Sequence, residues 1–166
     1  VDTTAPELYI PYNYSAECDE ELYYGEAYAY DNCTSVTISE EVDTVFQGCP
    51  QSYDITRTFV ATDECGNASE PQTQTITVRD TEAPVFNDYV AYYEFECNTP
   101  IVTENPTATD NCGLVSYETT DSDISYDGPG FALIYRTTVA TDECGNNSEA
   151  VQTIIIRDTT APVITG

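Results

Sequence analysis

The strongest constraint on the fold is an internal duplication of short acidic phrases. The heptapeptide ATDECGN stands at 61–67 and again at 140–146, and the tripeptide DNC ends at Cys33 and at Cys112. Each phrase follows residues typical of β-strands, so each is expected to open the loop after a strand. Repetition at a fixed period indicates one structural module written twice.

A third phrase sets the module boundaries. D-T-x-A-P begins at three positions spaced 78 residues apart, which are Asp2, Asp80 and Asp158. The sequence therefore predicts two modules, at 1–79 and 80–157. Residues 158–166 are predicted to be the start of a third repeat, a linker, or a donor strand, meaning a segment given to the sheet of a neighbouring molecule.

The pattern within each module predicts an all-β fold. Short runs rich in Thr, Val, Ile and Tyr are separated by Pro, Gly, Asn and Asp, and no 3.6-residue apolar period extends beyond a turn or two. Several short strands in about 80 residues indicate two tandem immunoglobulin-like β-sandwich domains. A module of this size buries only about 60–65% of its unfolded-chain surface, so disulfide stapling is expected.

The sandwich topology brings the duplicated phrases together. With strands named A to G, DNC ends strand B and ATDEC ends strand F. The B–C and F–G loops of an immunoglobulin-like sandwich lie at the same end, where strand A also begins. Disulfides Cys33–Cys65 and Cys112–Cys144 are therefore predicted to join the two loops of each module.

The opposite end of module one is predicted to hold a second disulfide. Cys49 and Cys65 flank one extended strand and lie too far apart to pair. Cys18, in the A–B turn, and Cys49, in the predicted E–F turn, are expected to pair instead. Module two has no counterpart of Cys49, so Cys97 is predicted to be unpaired, either buried and inert or bridged to another molecule.

The converging loops carry oxygen donors suited to a cation. Ca²⁺ takes six to eight oxygen ligands at about 2.3–2.6 Å, whereas Mg²⁺ prefers a tighter octahedron, and the absence of His disfavours zinc and copper. Candidate ligands before module two are Asp80, Glu82, Asp110, Asn111, Asp142 and Asn146. Candidate ligands in module one are Asp2, Asp31, Asp63 and Asn67. The alternative is turn chemistry alone, because Asp and Asn hydrogen-bond their own backbone in turns.

The charge balance excludes several classes of function. The formal net charge is −26, with 30 acidic residues against four basic ones, so nucleic acid and anionic membranes are not expected partners. No His, nucleophile motif or phosphate-binding Gly loop is present, so an enzyme is not expected. Seven cysteines without a C-x-x-C pair favour disulfides and an extracellular or cell-surface location.

The tyrosines and one sequon complete the candidate surface features. Tyr28 and Tyr30 alternate along one strand and should share a sheet face. About half of the tyrosines are expected to cover a thin core, and the rest to be exposed for lateral packing or sugar stacking. Asn13, in Asn-Tyr-Ser, is a candidate glycosylation site.

The spaced words RTFVATDECGN, QTQTITVRDTEAP and an upstream DNC resemble the hyalin-repeat-like (HYR-like) immunoglobulin modules of secreted bacterial surface, adhesin and extracellular fibre proteins. The resemblance covers both repeats. It implies an extracellular structural or adhesive role without catalysis. This chain differs in carrying Phe59 where the family has Trp, and in lacking a second Cys49.

These features together predict a non-catalytic extracellular protein that forms a rod or fibril from calcium-stiffened repeats. Its expected partners are copies of itself or neighbouring repeats, joined head to tail if the terminal strand is donated. The alternative is a cell-surface adhesin module that binds glycans or protein partners.

Overall fold

A computed structural model describes residues 2–32, 35–126 and 128–164. Across these ranges every regular element is a β-strand, and no helix has the length and apolarity to cross a membrane. The chain divides into two compact units, Val1–Thr81 and Glu82–Gly166. Each unit is an immunoglobulin-like β-sandwich that contains disulfide-bonded cysteines.

Unit one has six strands in its described residues: β1 (Glu7–Tyr9), β2 (Tyr14–Glu17), β3 (Tyr28–Tyr30), β4 (Val36–Phe46), β5 (Tyr53–Asp63) and β6 (Gln72–Arg79). One sheet has the order β2-β6-β5-β4, in which β2 runs parallel to β6 and the other neighbours are antiparallel. The second sheet is the antiparallel ribbon of β1 and β3. The predicted first strand is thus divided between the two sheets.

Unit two repeats this arrangement with β7 (Val85–Phe86), β8 (Tyr92–Glu96), β9 (Ala108–Thr109), β10 (Ser116–Asp121), β11 (Ser125–Tyr126), β12 (Phe131–Thr141) and β13 (Asn147–Arg157). Its main sheet has the order β8-β13-β12-β10, with β11 also paired to β12. Strand β8 is parallel to β13, and β7 pairs with β9.

The connection between β4 and β5 corrects one sequence expectation. Strand β4 runs for 11 residues and is followed directly by the turn at 47–52 and then β5. Cys49 was predicted to lie in a turn between strands E and F, but it lies in this β4–β5 turn. Because β4 occupies residues 36–46 without a break and β5 is the next strand, no separate D and E strands stand between them in the described residues.

Alternating burial along β5 builds the core of unit one. Ile55, Arg57, Phe59 and Ala61 are buried, and the alternate residues Thr56, Thr58 and Val60 are partly exposed. Phe59 and Ala61 pack with Leu8 of the β1–β3 ribbon, so apolar burial between the two sheets holds the sandwich together. A second cluster joins Ile55 to β6.

A buried arginine fills part of this thin core. Arg57 is 7% exposed, and its guanidinium donates to the Glu40 carboxylate at 2.6 Å and to the Gln74 side-chain oxygen at 2.8 Å. The same group donates to the Tyr24 carbonyl and lies 4.9 Å from the centre of the Phe59 ring. Such pairing is required because a buried charge without partners is strongly destabilising.

Four cysteines are disulfide-bonded, namely Cys18, Cys49, Cys112 and Cys144. They are the members of two predicted pairs. Cys65 is exposed and carries a free thiol, in contrast to the predicted bridge with Cys33, which lies outside the described residues. Cys97 also carries a free thiol and is half-buried.

A glutamate at the end of the parallel edge strand holds the following D-T phrase in both repeats. Glu17 accepts hydrogen bonds from the Thr81 amide, at 3.1 Å, and from the Thr81 hydroxyl. In unit two, Glu96 accepts from the Thr159 amide at 2.9 Å, from the Thr159 hydroxyl, and from the Thr160 hydroxyl at 3.1 Å. These bonds lower the pKa of Glu96 below its ordinary value.

We expect peptide mapping without reduction to recover Cys18–Cys49 and Cys112–Cys144 as linked pairs. Replacing Cys49 by Ser should lower the free energy of unfolding of unit one by about 2–4 kcal/mol, because the unfolded chain regains loop entropy. Cys97→Ser is the matched control and should change stability by less than about 0.5 kcal/mol. Equal effects of the two substitutions would contradict the assignment.

The Glu96 interaction predicts a pH dependence confined to acid. Because the folded-state pKa is lowered from 4.5, the stabilisation is complete above that value and is lost as pH falls through the lowered pKa. NMR should show the Glu96 carboxyl carbon and the Thr159 amide titrating together with a midpoint below 4.5. The variant T159V/T160V should raise the midpoint toward the ordinary value, because the hydroxyl bonds are lost while the backbone amide bonds remain. A normal midpoint in the parent chain would refute the interaction.

Candidate cation-binding site

The loop after β5 is closed by the aspartate that begins it. Asp63 accepts hydrogen bonds from the Asn67 amide at 2.8 Å and from the Asn67 side-chain nitrogen at 2.7 Å. Its own amide donates to the Asn67 carbonyl at 3.1 Å. Gly66 has φ of 89°, a conformation that favours glycine and allows the tight return.

The Asp63 carboxylate is held in its charged form. Burial alone would raise its pKa, but hydrogen bonds from the Asn67 side chain and from the backbone amides of Asn67, Cys65 and Gly66 outweigh burial. The pKa of Asp63 is therefore below its ordinary value. A carboxylate stabilised in this way remains negative at neutral pH.

Two further acids meet Asp63 in unit one. Asp2, Asp31 and Asp63 each place a carboxylate oxygen within 4.8 Å of the others. The Asn67 side chain also donates to the Asp2 carbonyl at 3.3 Å, which ties the start of the chain to the loop. The structure thus brings together all four residues predicted for this end of module one.

Only part of this cluster is explained by turn chemistry. One oxygen of Asp2, Oδ1, accepts a hydrogen bond from the Thr4 amide at 3.0 Å. The other oxygen, Oδ2, is buried and accepts no hydrogen bond. Burying a carboxylate oxygen destabilises the fold unless a hydrogen-bond donor or a cation reaches that oxygen.

The loop after β12 in unit two is closed in the same way. One oxygen of Asp142 accepts from the amides of Cys144, Gly145 and Asn146 at 2.8, 2.6 and 2.9 Å. Its other oxygen accepts from the Asn146 side chain at 2.8 Å. This one carboxylate therefore organises the whole turn, as expected for an Asp in an Asx-type loop.

The two carboxylate oxygens of Asp110, like those of Asp2, differ in whether they accept a hydrogen bond. Its Oδ1 accepts from the Cys112 amide at 2.9 Å, whereas its Oδ2 is buried and accepts no hydrogen bond. Asp110 and Asp142 place carboxylate oxygens within 4.8 Å of each other. Asp110 corresponds to Asp31 in the repeat and not to Asp2. Each unit therefore buries such an oxygen at its acidic loops, although Asp2 and Asp110 occupy different positions of the module.

The other residues predicted as ligands before module two differ in exposure and in the unit to which they belong. Asn111 and Glu82 are exposed in unit two. Asp80 belongs to unit one, where its amide faces the Ser52 hydroxyl at 3.4 Å. Asn13, the candidate glycosylation site, is exposed, and its side-chain oxygen accepts from the Thr75 amide at 2.8 Å.

The donor set fits a hard divalent cation. It consists of carboxylate oxygens, at least one in each cluster buried without a hydrogen bond, arranged beside an amide side chain. Oxygen-only clusters of this kind suit Ca²⁺ or Mg²⁺ and not metals that require nitrogen or sulfur. A bound cation would also offset the repulsion between carboxylates held so close together.

Two buried glutamines that were not predicted from the sequence hold the segment between the first two strands of each unit. Gln74 donates to the Tyr12 carbonyl at 3.0 Å, and its counterpart Gln152 donates to the Val90 carbonyl at 2.9 Å. Both glutamines are at most 1% exposed. Their common position in the T-Q-T and V-Q-T phrases was the available signal.

No protein-family model matches the sequence, and no curated protein matches it. Among solved structures, the chain is similar to human protocadherin-24 EC1-2, with 13% identity and a TM-score of 0.39 over 94% of this chain and all of that one. It is also similar to Drosophila N-cadherin EC1-4, at 14% identity and a TM-score of 0.38, covering 95% of this chain and 50% of that one. Human mucin-like protocadherin EC1-2 gives 10% identity and a TM-score of 0.35, with coverage of 93% and 99%.

Proposed function

We propose that this chain is a non-catalytic extracellular structural protein whose immunoglobulin-like repeats bind calcium at their acidic loop end. The observation that carries the proposal is the pair of buried carboxylate oxygens, Asp2 Oδ2 and Asp110 Oδ2, that accept no hydrogen bond. Turn chemistry accounts for the other oxygens of these side chains but leaves these two without a partner.

In unit one the proposed ligands are Asp2, Asp31 and Asp63, with Asn67 beside them. In unit two they are Asp110 and Asp142, with Asn146 beside them, while Asp80, Glu82 and Asn111 remain sequence-based candidates for the same ion. Calcium is favoured over magnesium because it accepts more ligands in a less regular geometry. The bound ion would neutralise the clustered carboxylates and hold the loops in place.

An extracellular location is supported by the disulfide-bonded cysteines in both units, since such bonds persist in oxidising compartments. The resemblance of RTFVATDECGN and its neighbouring phrases to hyalin-repeat modules supports the same location and a bacterial surface origin. The strong negative charge is consistent with a protein that functions among divalent cations.

The repeated start of a module supports assembly into a rod or filament. Val163 and Ile164 are 85% and 94% exposed, and Ile164 follows its D-T-x-A-P phrase at the same distance as the buried Leu8. In a head-to-tail contact, this segment would bury the same apolar face in a sheet of the next repeat or the next molecule. Such a contact propagates without closing and forms a filament.

A second candidate function is that of an adhesin module. It is favoured by several exposed tyrosines in unit one, of which Tyr12 and Tyr23 are 83% and 79% exposed. Exposed aromatic rings with hydroxyl groups are typical of surfaces that bind glycans or proteins.

The substitution Asp2→Asn separates calcium binding from turn chemistry. In saturating calcium the parent unit should gain stability, by about 2.7 kcal/mol when free calcium is one hundred times Kd. D2N should lose most of this gain because one ligand is removed. In chelator, D2N should instead raise Tm relative to the parent, because one negative charge leaves the cluster.

Thermal unfolding of both proteins with calcium, with magnesium and with chelator measures these effects. Glu70→Gln is the control, since Glu70 is exposed and the charge change is the same. If calcium raises Tm of neither the parent nor the control, the acidic loops are turns only, and the calcium proposal is wrong. The companion variant D80N tests whether Asp80 belongs to the second site.

Assembly is tested by electron microscopy of the purified protein with calcium and with chelator. We expect filaments in calcium that shorten or bend in chelator. Ile164→Asp should abolish them because a charge replaces the apolar contact. Ala161→Asp adds the same charge outside the apolar pair, at an exposed position whose counterpart Ala5 is also exposed, and should retain them. Filaments that persist in I164D would exclude strand donation.

A further inference from the structure

One face of the β1–β3 ribbon is almost entirely aromatic and points away from the core. The register pairs Tyr9 with Tyr28 and Glu7 with Tyr30. Successive strand residues point to opposite sides, so these four side chains share one face, while Leu8 between them is buried on the other. We call this set of four residues the tyrosine face.

The rings of the tyrosine face form one contiguous surface. Tyr9 and Tyr28 stack with ring centres 5.0 Å apart and an interplanar angle of 10°. Tyr30 stands edge-on to both, at 5.8 Å from Tyr28 and 6.4 Å from Tyr9. The three residues are 39%, 54% and 67% exposed, in sequence order, so the surface is accessible to another molecule.

The second repeat shows that the fold does not require these rings. Its β7–β9 ribbon has the same register, but the equivalent positions are Val85, Asn87, Thr107 and Thr109. Asn87 and Thr107 form a 3.1 Å side-chain hydrogen bond where unit one has the Tyr9–Tyr28 stack. The aromatic cluster is therefore an addition to unit one and not part of the common core.

A carboxylate completes the surface. Glu7 accepts a hydrogen bond from the Tyr9 hydroxyl, and this bond raises the pKa of Tyr9. The tyrosine face thus places three phenol rings beside a formal negative charge. The rings and the carboxylate both attract cations, and aromatic side chains are the groups that bind ammonium and guanidinium ions in aromatic cages.

We propose that the tyrosine face is a binding surface for a lysine- or arginine-bearing polypeptide segment of another molecule. A second copy of this chain does not fit, because its four arginines are already paired with its own acids, in Arg57–Glu40, Arg79–Asp54, Arg136–Asp121 and Arg157–Glu94. The net charge of −26 likewise favours a basic partner over another copy. The tyrosine face borders the acidic loops, because Tyr30 directly precedes Asp31 and lines the same cleft. None of its four residues is a proposed calcium ligand, so the proposal does not depend on calcium binding.

The test is titration with an N-acetylated, C-amidated tetra-arginine peptide at physiological salt and saturating calcium, followed by calorimetry and NMR. The decisive variant is Y9N/Y28T/Y30T, which installs the residues of repeat two and leaves the net charge unchanged. We expect it to weaken binding at least about fivefold, because several cation–π contacts are lost. Tyr126→Thr is the control, since Tyr126 is 75% exposed in unit two, and should bind as the parent does.

Glu7→Gln should also weaken binding, and peptide-induced shifts should centre on residues 7–9 and 28–30. Equal affinity of the parent and the triple variant would overturn the proposal, because binding would then reflect overall charge alone. Shifts of the tyrosine signals by a neutral oligosaccharide, without shifts by the peptide, would overturn it as well and identify a glycan surface. Calcium-dependent Tm is measured in the same samples, so failure of the calcium proposal is recognised separately.

Discussion

The hydrogen bonds from a five-residue loop to the aspartate that begins it are the interaction on which the rest of each repeat depends. Asp63 and Asp142 lie at the ends of the central strands, and each accepts both backbone and side-chain hydrogen bonds from its own loop. This closure sets the position of one carboxylate in each unit, and in unit one it lowers the pKa of Asp63. The other acids then gather around it, so the turn and the candidate cation site have a common origin.

The small core explains why so many polar groups are buried. Unit one has only a few fully buried apolar residues, and the Arg57 and Gln74 side chains occupy interior space that a larger domain would fill with hydrocarbon. In unit two the counterpart Arg136 is only half-buried and pairs with the exposed Asp121 through two bonds of 2.7 Å. Both repeats thus carry a paired arginine at this position, but only unit one buries it.

The duplicated phrases made much of the architecture predictable. They indicated two all-β sandwiches and the convergence of Asp2, Asp31 and Asp63, because loop position follows from strand order. The contacts of Glu17 with Thr81 were not predictable, since they join residues far apart in sequence without a local pattern. The direct β4–β5 connection was also missed, because alternation of residue types does not show where a long strand ends. The free thiol of Cys65 shows that nearness of two loops does not by itself establish a disulfide.

The parallel pairing of β2 with β6, and of β8 with β13, has a mechanical consequence. Within a repeat, the chain passes through one strand of the two-stranded ribbon, then through the first strand of such a pair, and leaves through the second. Tension applied at the two ends therefore slides the strands past each other, and the inter-strand bonds share the load and must break together instead of one at a time. A repeat built in this way resists stretching more strongly than its modest core would indicate.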